Sequence, residues 1–283
     1  MQQIEQYMTE AISIPCLGCG TWQITDRDEM IMMVSEAFSR GYCLFDLAAA
    51  YCNEIAFHKA MTENGISRGK ILLSDKVWNT SRGYDAVREA CKRSLHKLKT
   101  DYIDFYLVHW PASPKLDKDW KTVNADTWRG MESLVSDGLV RAIGVCNFMV
   151  RHLNELKKTA TIQPVLNQFE FHPGYWQKDV YDYCKSEHIM VMASSPLGNG
   201  QILNHPELNR IAETKHKSPA QICLRWARQK NVVSIPKTTN PQHLNENADI
   251  FNFCLTEEEM SIIDAIPFCG GLAINSDEVT AFD

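Results

Sequence analysis

The chain has 283 residues, of which 45% are hydrophobic and 23% charged, enough to bury one large core of the size that β/α barrels reach as a single domain of roughly 250 residues. Its net charge is −6, and its lysines and arginines are scattered, so no cationic stripe is available to neutralise a phosphate backbone and nucleic acid is excluded as a partner. Residues 1–21 carry Glu5 and Glu10 without a long apolar run, unlike a secretory leader, and no segment approaches the roughly 18 apolar residues of a membrane helix; a soluble, cytoplasmic protein with no membrane partner is expected.

In chain order, residues 1–16 suggest a small hairpin at the base of a barrel, followed by PCLGCGTW (15–22) as a first strand. Short β-rich runs then alternate with longer segments: CLFDLA (43–48), ILLSDKVW (71–78), YIDFYLVHW (102–110), AIGVCNF (142–148), VLNQFEF (165–171), IMVMASS (189–195) and VVSIPK (232–237). The intervening segments space apolar residues by three and four, as in Met30, Met33, Val34 and Phe38, or Val87, Ala90, Cys91, Leu95 and Leu98, the pattern of amphipathic helices. Ser81 before the 84–98 segment, and Thr256 ahead of Glu257, Glu258 and Glu259, read as helix starts. Eight near-continuous apolar strands separated by helices imply a parallel sheet closed into a (β/α)8 barrel, one domain over 1–283, with an irregular tail from Cys269 to Asp283.

Strands of such a barrel stay apolar until their C-terminal ends, where the βα loops build the active site. Here the apolar runs are interrupted at Asp46, Lys76, His109, Cys146 with Asn147, Gln168 and Lys237. One such residue commonly does no more than cap the next helix, but six on six strands aim polar groups at one mouth. Asp, Tyr, Lys and His without a second carboxylate or a metal-type cluster point to proton transfer to a carbonyl rather than to glycoside or metal-assisted hydrolysis.

Other patterns are better read as packing. The ten cysteines, several inside apolar runs (Cys43, Cys146, Cys184, Cys254), are expected to be free thiols filling the core. Cys16 and Cys19 form a C-x-x-C without a second pair, and fit apolar fillers of the first strand. Tyr181 and Lys185 match a Y-x-x-x-K but fall in an expected solvated helix, Gly18 and Gly20 are followed by Gln23 where a dinucleotide fingerprint needs a third glycine, and His172 before Pro173 fits a loop turn.

Taken together, DLAAAYCNE, SDKVWN, YIDFYLVHWP, VRAIGVCNF, LNQFEFHP, ASSPLG and IPKTTNPQHLNEN resemble successive motifs of the aldo-keto reductases, in order, from about residue 17 to residue 255. The resemblance implies a catalytic tetrad of Asp46, Tyr51, Lys76 and His109, NADPH as cofactor, a small-molecule carbonyl substrate and a monomer. Its chemistry is coherent: a hydride from the cofactor must be matched by a proton on the developing alkoxide. Tyr51 would give that proton, Lys76 would lower the tyrosine pKa from about 10, Asp46 would keep Lys76 charged, and His109 would orient the substrate oxygen.

The resemblance further implies a cofactor site in which Thr21 and Trp22 lie near the diphosphate, with Asp46 close by. Asn147 and Gln168 would hold the carboxamide, with Cys146 and Ser194 beside the nicotinamide. Ser195 and Leu197 would approach the pyrophosphate; Lys237, Thr238 and His243 would meet the 2′-phosphate; and Glu246 and Asn247 would face adenine. Trp22, Tyr51, Trp78, His109 and Trp110 would enclose the substrate. The family pattern usually has Tyr at Ser194, a lost stacking partner worth ~0.5–1.5 kcal/mol, Ser at Cys146, and an Arg at His243, where a permanent charge gives way to a partial one. These three departures leave a second reading, a nucleotide-sensing or regulatory protein on the same barrel. The short loop after ASSPLG and short tail after Phe268 suggest an open mouth that accepts small or aromatic aldehydes.

Overall fold

The structure is a computed structural model that describes residues 4–8, 12–115 and 117–276. An antiparallel hairpin comes first, β1 (Gln6–Met8) against β2 (Ser13–Pro15), with Tyr7 opposite Ile14; its connecting residues 9–11, like 1–3, lie outside the described residues. Eight parallel strands follow: β3 (Cys19–Gly20), β4 (Leu44–Asp46), β5 (Leu72–Val77), β6 (Ile103–Val108), β7 (Val140–Cys146), β8 (Leu166–Glu170), β9 (Met190–Ser194) and β10 (Val233–Ser234), each beside its neighbour in chain order. The ring closes where Gly18 N donates to Ser234 O at 2.8 Å and Ser234 N donates to Cys16 O at 2.9 Å. The expected barrel and hairpin are both present.

Among the described residues, ten helices cover the outside: α1 (Arg27–Ser39), α2 (Glu54–Glu63), α3 (Tyr84–Leu98), α4 (Trp120–Ser136), α5 (Val150–Lys157), α6 (Lys178–Ser186), α7 (Pro206–Lys215), α8 (Pro219–Gln229), α9 (Pro241–Ala248) and α10 (Glu257–Asp264). Their starts follow local chemistry. Thr256 and Glu259 form the reciprocal cap of α10 that the sequence suggests. Ser81, in contrast, does not cap α3. That helix follows Gly83, and the free amides there are taken by α4: Gly83 N donates to Thr127 Oγ1 and Tyr84 N to Asp126 Oδ2, each at 2.8 Å. A cap supplied by another helix has no local sequence signature.

Strand alternation divides the core in two. Phe105 and Leu107 of β6 join Ile14, Leu44, Leu166 and Val233 inside the barrel, while Tyr106 and Val108 face the helices. Since Leu44, Leu166 and Val233 begin their strands, Ile14 of the hairpin packs at the N-terminal end and stops it. The helix layer is tight where α3 crosses α4. A Cβ on Gly130 would run into Val87 Cγ1 and stand 2.7 Å from Tyr84 O.

All ten cysteines are free, and Cys16, Cys19, Cys146 and Cys184 are buried as expected, but Cys254 is exposed and Cys43 only half-buried; an apolar neighbourhood in sequence does not fix which way a loop residue faces. After α10 the chain is irregular through Ser276, and the rest of the tail, residues 277–283, lies outside the described residues. Among the described residues, no helix is long and apolar enough to cross a membrane.

Replacing Gly130 with Ala should therefore lower unfolding stability by about 1–3 kcal/mol, the usual cost of overpacking, as read by urea denaturation. An unchanged midpoint would mean that the α3–α4 crossing can relax.

Candidate active site

The inward row of each strand turns from apolar to polar as it climbs. Leu44 is followed two residues later by Asp46, Leu72 by Ser74 and then Lys76, Leu107 by His109, Gly144 by Cys146, Leu166 by Gln168, Met192 by Ser194 and Ile235 by Lys237. Because side chains on a strand repeat every two residues, these rows rise toward the same C-terminal mouth, with Cys146 remaining in the inner core beneath it.

At the centre, Lys76 and Asp46 form an ion pair with side chains 0% and 2% exposed. Lys76 Nζ donates to Asp46 Oδ2 at 2.6 Å and to Leu47 O at 2.7 Å, and lies 3.4 Å from Tyr51 Oη. The other carboxylate oxygen, Asp46 Oδ1, accepts from Ser74 Oγ at 2.9 Å and Gln168 Nε2 at 2.8 Å. A buried charge is tolerable only when its donors and acceptors are filled in this way. Burial lowers the basicity of Lys76, but Asp46 together with Tyr51 and Cys146 more than restores it, so the ammonium is held above its ordinary pKa.

Tyr51 ends the single helical turn Ala49–Tyr51 that follows β4, next to Cys52 in a left-handed conformation. Burial pushes its hydroxyl up to about 12, with Lys76 pulling the other way. The net shift is thus opposite to the one expected from Lys76 alone, because desolvation of the phenolate outweighs the cation. His109 sits edge-on to Tyr51 and to Trp78, with ring centres 5.8 and 5.0 Å apart. Burial and then Lys76 hold its imidazole well below the usual value of 6.5, and its buried Nδ1 has no hydrogen-bond partner. The mouth therefore places a cation, a protonated phenol and a neutral imidazole side by side.

From this centre a groove of about 770 Å³ runs toward α8 and α9, within the ~300–1,000 Å³ of small-molecule and cofactor clefts. It is lined by Trp22, Asp46, Tyr51, Gln168, Ser194, Ser195, Leu197, Lys237, Thr238, His243, Glu246 and Asn247, twelve of the positions to which the sequence assigns a binding role. Their donor set suits a long polar ligand: hydroxyls at Ser194, Ser195 and Thr238, and a lysine ahead of α9. Thr238 Oγ1 lies 3.4 Å from His243 Nδ1. Gly20 lets the backbone come close, since a Cβ there would stand 2.9 Å from Ile235 O.

The other assigned residues lie outside this groove. Thr21 is fully buried and spends its hydroxyl on Asp46 O at 2.9 Å, so it braces β4. Cys146 is an inner-core residue whose thiol pKa is pushed up by burial. Asn147, left-handed at φ 61°, donates through Nδ2 to His109 O at 3.0 Å and holds that loop. Trp78 and Trp110 are half-buried at the mouth beside His109, whereas Trp22, on the groove wall, is 41% exposed.

Of the patterns set aside as packing, His172 is fully buried, with Nδ1 2.8 Å from Pro173 O, and Cys16 and Cys19 fill the core. The Y-x-x-x-K lies on α6, but its helix face is not wholly solvated: Tyr181 is buried and donates to Lys230 O at 2.9 Å, and only Lys185 is exposed. Sequence reasoning missed Ser74, which holds Asp46, and Glu170, whose carboxylate grips the tail. Both stand on inward rows, two residues from Lys76 and Gln168, and the two-residue step could have found them.

A closed parallel barrel with this buried tetrad beside a long polar groove has the build of a β/α-barrel oxidoreductase. Comparison with known proteins narrows the class. The profile of the Aldo/keto reductase family matches residues 16–267. The glyoxal reductase of Bacillus subtilis (strain 168) is 42% identical over 268 residues, covering 95% of this chain and 94% of that protein. An aldo/keto reductase from Brucella melitensis superposes with a TM-score of 0.85 at 39% identity, over 93% of this chain and 99% of that one. A Bombyx mori aldo-keto reductase solved in complex with NADP gives 0.85 at 33% identity, over 93% and 92%. The chain belongs to the aldo/keto reductase family, and is an oxidoreductase of that family.

An NMR titration of the imidazole should find His109 in one neutral form between about pH 8 and 6. Protonation with a midpoint near the ordinary 6.5 would contradict the burial argument.

Proposed function

We propose that this protein reduces small aldehydes to alcohols with NADPH, in the cytoplasm, using Tyr51 as proton donor. The observation that carries the reading is the line from Asp46 Oδ2 through Lys76 Nζ to Tyr51 Oη, with steps of 2.6 and 3.4 Å, at the head of the groove. When bound, NADPH would supply the hydride that adds to the carbonyl carbon. The residues of the chain supply the rest.

Tyr51, protonated throughout the neutral range, gives its proton to the carbonyl oxygen as charge develops there and recovers one from water. The tyrosinate left behind is stabilised by Lys76, whose charge Asp46 holds in place. His109, kept neutral, offers a hydrogen bond that fixes the carbonyl without adding a second positive charge beside Lys76. Gln168, its amide nitrogen held by Asp46, would offer its oxygen to the carboxamide of the cofactor. Lys237, Thr238 and His243 supply donors for a 2′-phosphate at the far end.

The substrate class is supported by Trp22, Trp78 and Trp110 near Tyr51 and His109, and by the relative named for glyoxal, a two-carbon dialdehyde. The free cysteines support a reducing compartment.

Tyr51→Phe should lower turnover of NADPH with glyoxal by about 10²–10⁴, the usual contribution of a general acid, while NADPH still quenches protein fluorescence at similar concentrations. Full turnover in the variant would refute the role of Tyr51. Nucleotide binding by the wild type without turnover on any carbonyl would favour the sensing role instead.

A further inference from the structure

One carboxylate near the mouth has no part in the chemistry above. Glu170 ends β8, two residues beyond Gln168 on the same inward row, and pairs in register with Ser194 of β9. Its side chain is turned to the C-terminal segment. Oε1 accepts from Leu272 N and Oε2 from Ala273 N, each at 2.7 Å, and Oε1 also lies 3.2 Å from Nε2 of the buried His172.

Two successive amides converging on one carboxylate form an anion-binding nest, and the backbone is bent to make it, with positive φ at Gly271 (96°) and Ala273 (50°). A Cβ on Gly271 would run into Glu170 Oε1 and His172 Nε2. On its other side the segment is tied to the turn after β9, where Gln201 Oε1 accepts from Gly271 N at 3.3 Å. The result is that Leu272, half exposed, stands in the wall of the groove with Leu197 and Leu203. The part of Leu272 that faces the groove is apolar surface that an occupant of the groove would cover. It is held beside Glu170, in register with Ser194, the position where an aromatic ring is absent from this chain.

We propose that Glu170 is a positioning residue that clamps the strap of residues 270–273 across the groove, and that the strap, through Leu272, retains the bound nicotinamide nucleotide. This rests on the reading of the groove as the NADPH site. Charge-assisted hydrogen bonds to backbone amides are the stronger kind, and the carboxylate accepts both amides at once. An amide in its place turns one acceptor into a donor facing an N–H.

The test is the rate of NADPH release from the full chain, followed by stopped-flow fluorescence, together with hydrogen exchange of residues 270–273. Glu170→Gln should speed exchange across the strap and raise the NADPH dissociation rate by on the order of tenfold, about the effect of one such hydrogen bond. Leu272→Ala leaves both backbone bonds in place and should raise the release rate several-fold with strap exchange unchanged, which keeps the test available if Glu170→Gln folds poorly. Faster strap exchange with an unaltered release rate in Glu170→Gln, or an unaltered release rate in Leu272→Ala, would overturn the proposal while the nucleotide reading stands. Failure of the wild type to bind NADPH at all would overturn the nucleotide reading, and the proposal with it.

Discussion

The buried pair of Lys76 and Asp46 is the constraint to which the rest of the mouth answers. Removing both charges from water costs several kcal/mol per ion, and attraction between them offsets that cost only if every remaining donor and acceptor is filled. Three strands and a loop are arranged to do so: β4 carries Asp46 and leads into the Leu47 carbonyl, β5 carries Ser74 and Lys76, and β8 carries Gln168. The neighbouring groups take their state from the same charges. His109 is held neutral partly because Lys76 is not, and Tyr51 keeps its proton because burial outweighs the pull of the lysine.

The barrel supplies this arrangement through its periodicity. A strand whose lower inward positions are Leu44, Phe105 or Leu166 fills the core, and two or four residues on, the same row emerges at the mouth as Asp46, His109 or Gln168. Stability and chemistry thus occupy successive layers of one structure, and the hairpin residue Ile14 closes the opposite end.

That layering is why so much was legible in the chain itself. Strand runs, helical spacing and the polar interruptions depend on local order; the first two led to the expected elements, and Asp46, Gln168 and Lys237 line the mouth, whereas Cys146 lies in the inner core and Asn147 braces the loop at His109. What depended on partners distant in sequence was not legible. Ser81 looks like a cap, but Asp126 and Thr127 cap α3 from across a helix contact. The hydroxyl of Thr21 looks available but is spent on Asp46 O. The sign of the Tyr51 shift depends on how deeply a single turn is buried, and the grip of Glu170 on Leu272 and Ala273 spans more than a hundred residues.

The ion pair is kept for what it does to Tyr51, not for the stability of the barrel, and a double replacement of Asp46 by Leu and Lys76 by Met tests this most directly. Urea denaturation should place the double variant within about 2 kcal/mol of the wild type or above it, whereas Asp46→Leu alone, which strands the lysine charge, should lose about 3–5 kcal/mol, and carbonyl reduction should be lost in both. A double variant that still reduces carbonyls at the wild-type rate, or one destabilised as much as the single, would contradict it.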